Sequence, residues 1–306
     1  MNSMSTDLVA FGSIVLADLM LVDKFPLINT GTEIKTTAKY LSDDAVIVAT
    51  LLSQWGMKAG LICTEIPSDD QGKHILNMLN ELNIQGEFRL SPYAIKPYEV
   101  TISDSLGNRT YFWRRDEELL NSLDTANLNI IKNSKFLYVD WYDGDHILRP
   151  ISVANCHDVP VFLNLEYGHQ NQFALEKYVK ASTIVQAITD SQQLHFLNAE
   201  NIANTILEYG PKIVIVTMAE KGCLVTDGNQ YLKVYPPSDI FVLDVNGAGA
   251  TFSAAFLYGF LNGWDLQDIS RFAVASAALK CTEIGPKAFP VDKIKKLSSL
   301  LAIDSW

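Results

Sequence analysis

Apolar residues fall along this chain in two alternating rhythms. Short runs, apolar at nearly every position and rich in β-branched side chains, recur at residues 8–16 (LVAFGSIVL), 58–63, 135–139, 160–165, 182–188 and 212–217. Runs without polar alternation predict strands buried on both faces, the signature of a parallel sheet. Between them apolar residues return at helical spacing, as in Val46, Ala49, Leu51 and Leu52 before Gly56, and Ile75, Met78, Leu79 and Leu82 before Asn83. Strand alternating with helix predicts an α/β fold: a doubly wound, mostly parallel sheet in a three-layer arrangement. No linker, internal repeat or low-complexity stretch interrupts it, so residues 1–306 are expected to form a single domain.

Two segments break the rhythm, about 17–40 and about 97–115. The second runs Tyr98-Glu99-Val100-Thr101-Ile102-Ser103, then Ser105-Leu106-Gly107-Asn108, then Arg109-Thr110-Tyr111-Phe112-Trp113. Alternation around a Gly-Asn turn predicts a hairpin. Such strands either form an ordinary surface hairpin or leave the main sheet to make a small β lid over its ligand edge. Packing against the sheet is the expected use of the rings Tyr111, Phe112 and Trp113, and an interface is the alternative. Later, residues 230–235 followed by Pro236-Pro237 predict an edge strand. Ile240-Phe241-Val242-Leu243 reads as a strand-like run, and helices are expected over 252–263, 266–282 and 291–301, the last opened by Pro290.

Charge narrows the partners. With 24 basic and 35 acidic residues the chain carries −11, which repels nucleic-acid backbones and anionic membrane surfaces. No nucleic-acid or membrane partner is expected. A small anion can still bind, because amides at a helix start outweigh a diffuse net charge at short range. Cys63, Cys156, Cys223 and Cys281 are far apart in apolar sequence and read as free thiols. The five histidines are scattered, so no zinc site is expected. The first apolar stretch follows no basic segment and contains Gly12 and Asp18, unlike a signal peptide, so a cytoplasmic location is expected.

The segment Asp244-Val245-Asn246-Gly247-Ala248-Gly249-Ala250-Thr251-Phe252 joins an apolar run to an apolar helix rich in small residues. Glycines let the backbone turn, and the free amides and positive dipole end of the helix suit an anion. Taken alone, the same pattern is also a tight strand-to-helix connection.

This segment resembles the second signature of ribokinase (PfkB-type) carbohydrate kinases, D-x-x-G-A-G-D-x-F. Gly12-Ser13-Ile14 with Asp18 resembles the family's first strand. Residues 213–222, ending Thr217-Met218-Ala219-Glu220-Lys221-Gly222, resemble its nucleotide-side strand with T-x-G-x-x-G, and 275–285 its closing helix. The resemblance implies a ribokinase-like fold with a β lid, ATP and magnesium as cofactors, and a sugar or nucleoside acceptor. It implies phosphate binding by Asn246, Gly247, Ala248 and Gly249, nucleotide binding by Thr217, Ala219 and Gly222, substrate binding by Asp18, Asp43 and Asn164, and a site role for Asp244.

The departures cluster in the chemistry. Ala250 stands where the family has its catalytic aspartate, and a methyl group cannot accept a proton. The family's N-x-x-E, which organises magnesium and phosphate waters, falls on Thr189 and Gln192, leaving the chain no metal ligands of its own there. The first signature's double glycine and asparagine fall on Ser42-Asp43 and Ile47, and the glycine after the nucleotide threonine is Ala219. Four departures in separate segments fit natural divergence better than one engineered change. Asp43, Asp44 and Glu166 are candidate replacement bases, each read first as a surface or cap carboxylate. Three functions follow: a carbohydrate kinase with weak or lost phosphoryl transfer, a non-catalytic nucleotide- or sugar-binding pseudokinase acting as sensor or partner, and a structural module forming a homodimer through the lid.

Overall fold

A computed structural model of the protein describes residues 5–189 and 198–306. The strands, in chain order, are β1 Leu8–Gly12, β2 Val15–Val22, β3 Ile34–Ser42, β4 Ala59–Cys63, β5 Ile66–Pro67, β6 Leu90–Ser91, β7 Tyr98–Asp104 and β8 Arg109–Arg114. They continue as β9 Leu137–Asp140, β10 Val161–Glu166, β11 Ile184–Ile188, β12 Ile213–Thr217, β13 Cys223–Thr226, β14 Tyr231–Val234 and β15 Ile303–Ser305. The α-helices are α1 Asp44–Gln54, α2 Asp70–Glu81, α3 Glu117–Leu120, α4 Leu148–Asn155, α5 Gln172–Lys177, α6 Ala199–Leu207, α7 Ala248–Leu261, α8 Leu266–Lys280 and α9 Val291–Ser298.

Nine strands form the main sheet in the order β15-β14-β13-β12-β11-β10-β9-β1-β4. From β4 to β12 every pair is parallel, and β13 to β15 add antiparallel strands. Both faces are covered. Leu8 and Ala10 of β1 join a core shared with α1, α2, α7, α8 and α9, while Val9 and Phe11 point into a second core with α4, α5 and α6. This ribokinase-like three-layer fold is the one the apolar runs predict, since strands covered on both faces are apolar at nearly every position, the buried Asn164 and Gln186 being exceptions.

The run 8–16 is not one strand. It divides at Ser13-Ile14, leaving β1 in the main sheet and β2 in a four-stranded sheet ordered β3-β2-β7-β8. A Cβ on Gly12 would lie 2.8 Å from the Ala45 methyl and 2.9 Å from Asp143 Oδ2, so only glycine lets the chain turn out beside α1. The small sheet contains the hairpin read from sequence, closed by Gly107 at φ +81° and by Asp104, which accepts bonds from Leu106 N, Asn108 N and Asn108 Nδ2. Its tip reaches the segment before α7, where Gly107 lies against Val242 and Ser103 Oγ donates to Asp244 Oδ1 at 3.2 Å.

Three expectations change. Residues 240–243 form no strand: Leu243 N donates to Cys281 O, and Phe241 is exposed, so the segment follows the end of α8 rather than a neighbouring strand. β14 is not an edge, because β15 pairs outside it. The rings on β8 do not pack into the core: Tyr111, Phe112 and Trp113 are 46%, 62% and 63% exposed, as an outer strand with no layer above it allows. No helix among the described residues is long and apolar enough to cross a membrane.

Candidate functional site

The site starts at the turn into α7. Gly247 caps the helix in the left-handed conformation at φ +75°, with no side-chain cap bond. Ala248 N donates to Val245 O and Thr251 N to Gly247 O. Among the described residues the amides of Gly249 and Ala250 meet no acceptor, and the space above Gly249 is open for at least 4 Å. Unpaired amides at a helix start suit a phosphate.

Asp244 fixes this turn. Fully buried, its carboxylate accepts from Asn246 N at 3.0 Å, Gly285 N at 2.9 Å, Ser103 Oγ at 3.2 Å and Lys280 Nζ at 2.9 Å. Lys280 Nζ also donates to Asp244 O at 2.7 Å, and this lysine too is fully buried. An ion pair with no solvent access thus joins the last residue of α8 to the first residue of the anion turn.

The small sheet supplies the opposite wall. Asn246 Oδ1 accepts from Arg109 Nη1 at 2.8 Å, and Asn246 Nδ2 donates to the Tyr40 hydroxyl, whose own ionisation is suppressed by burial. Glu99 accepts from Ser42 Oγ at 3.1 Å on both carboxylate oxygens and from Thr101 Oγ1 at 3.4 Å. Burial first, then the charge of Asp43, raises the Glu99 carboxyl above its usual range, against bonds from Ser42, Asn246 and Thr101; Tyr40 also faces it. A folded value above the unfolded one means that folding takes up a proton as pH falls. Ionised Glu99 therefore costs stability above its folded value and nothing below about 4.5, the unfolded value. Glu99→Gln is expected to melt at a higher temperature than the parent at pH 8, with the difference fading as melts are repeated towards pH 4.5.

The carboxyl ends of the parallel strands carry two acidic groups. In the first, Arg115 Nη2 bonds Asp43 Oδ2 at 2.7 Å, Asp143 Oδ1 at 3.0 Å and Ser13 Oγ at 3.0 Å, and Ser13 donates to Asp43. In the second, Asp44, Asp140 and Glu166 surround the Asn164 carboxamide. Burial, and against the pull of Arg115 the charge of Asp43, pushes the Asp140 carboxyl to about 6; burial and the charge of Asp140 push Glu166 to about 7, and burial with the charges of Asp140, Glu166 and Asp43 holds Asp44 well above its usual range. Asp43 caps α1, as a cap carboxylate should, but Asp44 and Glu166 are not surface groups: both are drawn onto the buried Asn164 carboxamide. Asp43 at φ +88° and Glu166 at φ +50° hold backbone conformations that favour glycine, the sort of strain that persists where surrounding structure imposes it.

The structure gathers some of the residues singled out in sequence and separates others. Asp244, Asn246, Gly247, Ala248, Gly249 and Ala250 lie on one turn, and Ala250 is fully buried. Ile47 packs under Gly247. Thr217 ends β12, and Thr189 N donates to its carbonyl at 2.8 Å, bringing a candidate nucleotide-binding position beside the first position of the family's metal-organising pair. Ala219 (φ +48°) and Gly222 (φ +86°) form the turn into β13, where a Cβ on Gly222 would strike Val234 O. The Thr189 hydroxyl is buried with no partner among the described residues, and Gln192 lies outside them. Asp18 is set apart: it pairs with Lys39 at 2.6 Å on the face of β2 opposite Ala17 and Leu19. Sequence reasoning missed Glu99, Arg109, Arg115, Asp140, Asp143 and Lys280. Of these Lys280, a lone charge in the small-residue helix 273–280, was the one most open to discovery.

Comparison with known proteins identifies the family and the fold. The model of the pfkB family carbohydrate kinases matches residues 5–293. A sugar kinase of Archaeoglobus fulgidus, itself uncharacterised, is 26% identical over 241 residues, covering 76% of this chain and 94% of that protein. A nucleoside kinase from Methanocaldococcus jannaschii superposes with a TM-score of 0.77 at 18% identity, covering 96% of this chain and 99% of its own. A ribokinase from Arabidopsis thaliana, solved with ribose and ATP, gives 0.73 at 18% identity over 97% and 100% of the two chains. With a family model spanning nearly its whole length and a fold shared from end to end, the chain belongs to the pfkB family of carbohydrate kinases.

Proposed function

We propose that this protein binds the phosphates of ATP at the Gly247–Gly249 turn and a sugar or nucleoside beneath the small sheet, and that phosphoryl transfer between them is slow or lost. The observation that carries this reading is the pairing of free amides at Gly249 and Ala250 with a methyl group at Ala250. The turn can hold phosphate, but that position cannot take the proton of an acceptor hydroxyl. A general base is worth roughly 10²- to 10⁴-fold, about 3 to 5 kcal/mol, while phosphoryl transfer rests mainly on positioning and charge stabilisation.

Magnesium does not fit at the family's usual pair. Thr189 offers only a buried neutral hydroxyl, so no step is assigned to a metal there. In the cleft, Asn246 and the turn amides would grip the terminal phosphates, Arg109 would add positive charge beside them, and Asp43 and Asn164 would face the acceptor. These roles support a nucleotide-sensing pseudokinase as readily as a weak kinase, in the cytoplasm in either case.

Thermal shift separates the readings. Ligand at about 100 times its dissociation constant stabilises by about 2.7 kcal/mol, so millimolar ATP or ADP is expected to raise the melting temperature by several degrees. No shift at that concentration would refute nucleotide binding and favour the structural reading. The exposed rings of β8 support a homodimer through the small sheets, and light scattering that finds only monomer at every loading removes it. Transfer of labelled phosphate from ATP to a panel of sugars and nucleosides then distinguishes kinase from sensor.

A further inference from the structure

The small sheet carries one carboxylate to the turn into α7. Along β7, Glu99, Thr101 and Ser103 alternate with Tyr98, Val100 and Ile102 and so share one face of the sheet. At one end of that face Ser103 Oγ donates to Asp244 Oδ1 at 3.2 Å. At the other the Glu99 carboxylate accepts from Ser42 Oγ on both oxygens at 3.1 Å and from Thr101 Oγ1 at 3.4 Å, and it faces the side chain of Asn246. Asn246 directly precedes Gly247, so this acid stands beside a turn whose own position 250 offers only a methyl group.

Glu99 stands there against the interest of the fold. Among the described residues it forms no ion pair. The charge acting on it is that of Asp43, of its own sign, and Tyr40 is the other titratable group that faces it. A neutral amide would meet the same hydroxyl groups with no charge to desolvate. Half-buried, the carboxylate keeps one side open. A charge that stability does not call for, aimed at a ligand turn, is the local conflict that functional sites carry.

Resting on the reading of Gly247–Gly249 as the phosphate turn, we propose that Glu99 is the general base of phosphoryl transfer, doing from the small sheet what Ala250 cannot do from α7. The acceptor's hydroxyl oxygen attacks the terminal phosphorus of ATP. Its O–H bond breaks as the proton passes to the Glu99 carboxylate, and a new O–P bond forms. The bond from that phosphorus to the bridging oxygen breaks, its electron pair leaving on ADP, and Glu99 then gives up the proton to water.

Glu99→Gln separates a base from a structural prop. The full chain is assayed with labelled ATP against the panel of sugars and nucleosides. For the acceptor that the parent uses, kcat is expected to fall by about 10²-fold or more, with KM for both substrates within about threefold and the thermal shift with ATP unchanged. A base must be ionised, so the parent's kcat should fall on acidification with a midpoint above 4.5, and the variant's residual rate should lack that limb. An unchanged kcat overturns the proposal, as does a parent rate with no such limb. A fall in kcat matched by loss of the ATP shift also overturns it, because Glu99 then only positions Asn246. No transfer by the parent overturns it too, and the parent's thermal shift with ATP tells whether nucleotide binding falls with it. Ala250→Asp gives a second check: two carboxylates with one task make its gain larger in Glu99→Gln than in the parent, and equal gains reject the assignment.

Discussion

Replacing Lys280 by methionine is expected to destabilise the protein by about 3 to 5 kcal/mol, the typical result of removing one partner from a buried ion pair. The two side chains are both fully buried, and Asp244 would remain charged with three neutral donors, Ser103 Oγ, Asn246 N and Gly285 N, in place of a cation. Methionine keeps the packing volume, so the loss reports the charge rather than a cavity. The double variant Lys280→Met with Asp244→Asn removes both charges and should recover most of the stability. Urea unfolding of the parent, each single variant and the double variant gives the coupling energy, and additive losses would mean that the pair does not act as a unit. Because the same pair ties down the phosphate turn, Lys280→Met should also abolish the thermal shift with ATP at temperatures where the variant is folded.

The second large effect concerns Ala250. A carboxylate there would sit in the first turn of α7, favoured by the helix dipole, beside the open space above Gly249. It would restore a base, yet transfer also needs charge stabilisation where Thr189 and Gln192 stand. Ala250→Asp alone is expected to change phosphate transfer by less than about tenfold. Combined with Thr189→Asn and Gln192→Glu it should raise transfer by about 10²-fold or more, within the range of general-base catalysis. A large gain from the single substitution would show that the metal-organising pair is dispensable here.

The main sheet was legible because its strands are buried on both faces, so that the few polar residues within them, such as Asn164 and Gln186, barely interrupt an apolar run. The turn into α7 was legible because its geometry needs glycine at Gly247 and small residues after it, a demand that sequence records locally. What escaped were contacts between distant segments. Glu99 shares one face of β7 with Thr101 and Ser103, polar residues that read in sequence as a solvent face but are buried, and nothing local shows that Ser42 and Asn246 face it. Asp140 ends an ordinary apolar strand and Asp143 follows it, and they join their two acidic groups only when β9 lies beside β10 and α1 and Arg115 reaches across. Asp44 and Glu166 looked like surface or cap carboxylates for the same reason. The break in 8–16 was hidden because a strand crossing from one sheet to another stays apolar throughout.

That crossing has a mechanical meaning. The chain passes between the two sheets at Gly12–Val15, at Ser42–Asp44, ahead of β7 and after Arg114. Ser13, Asp43 and Arg115 belong to three of these four passages, and all meet at Arg115 Nη2 with Asp143 of the main body beneath them. The small sheet is therefore riveted at its root by Arg115 and pinned at its tip by Ser103 and Arg109 on Asp244 and Asn246, so that β8 alone stays bare along its outer rim.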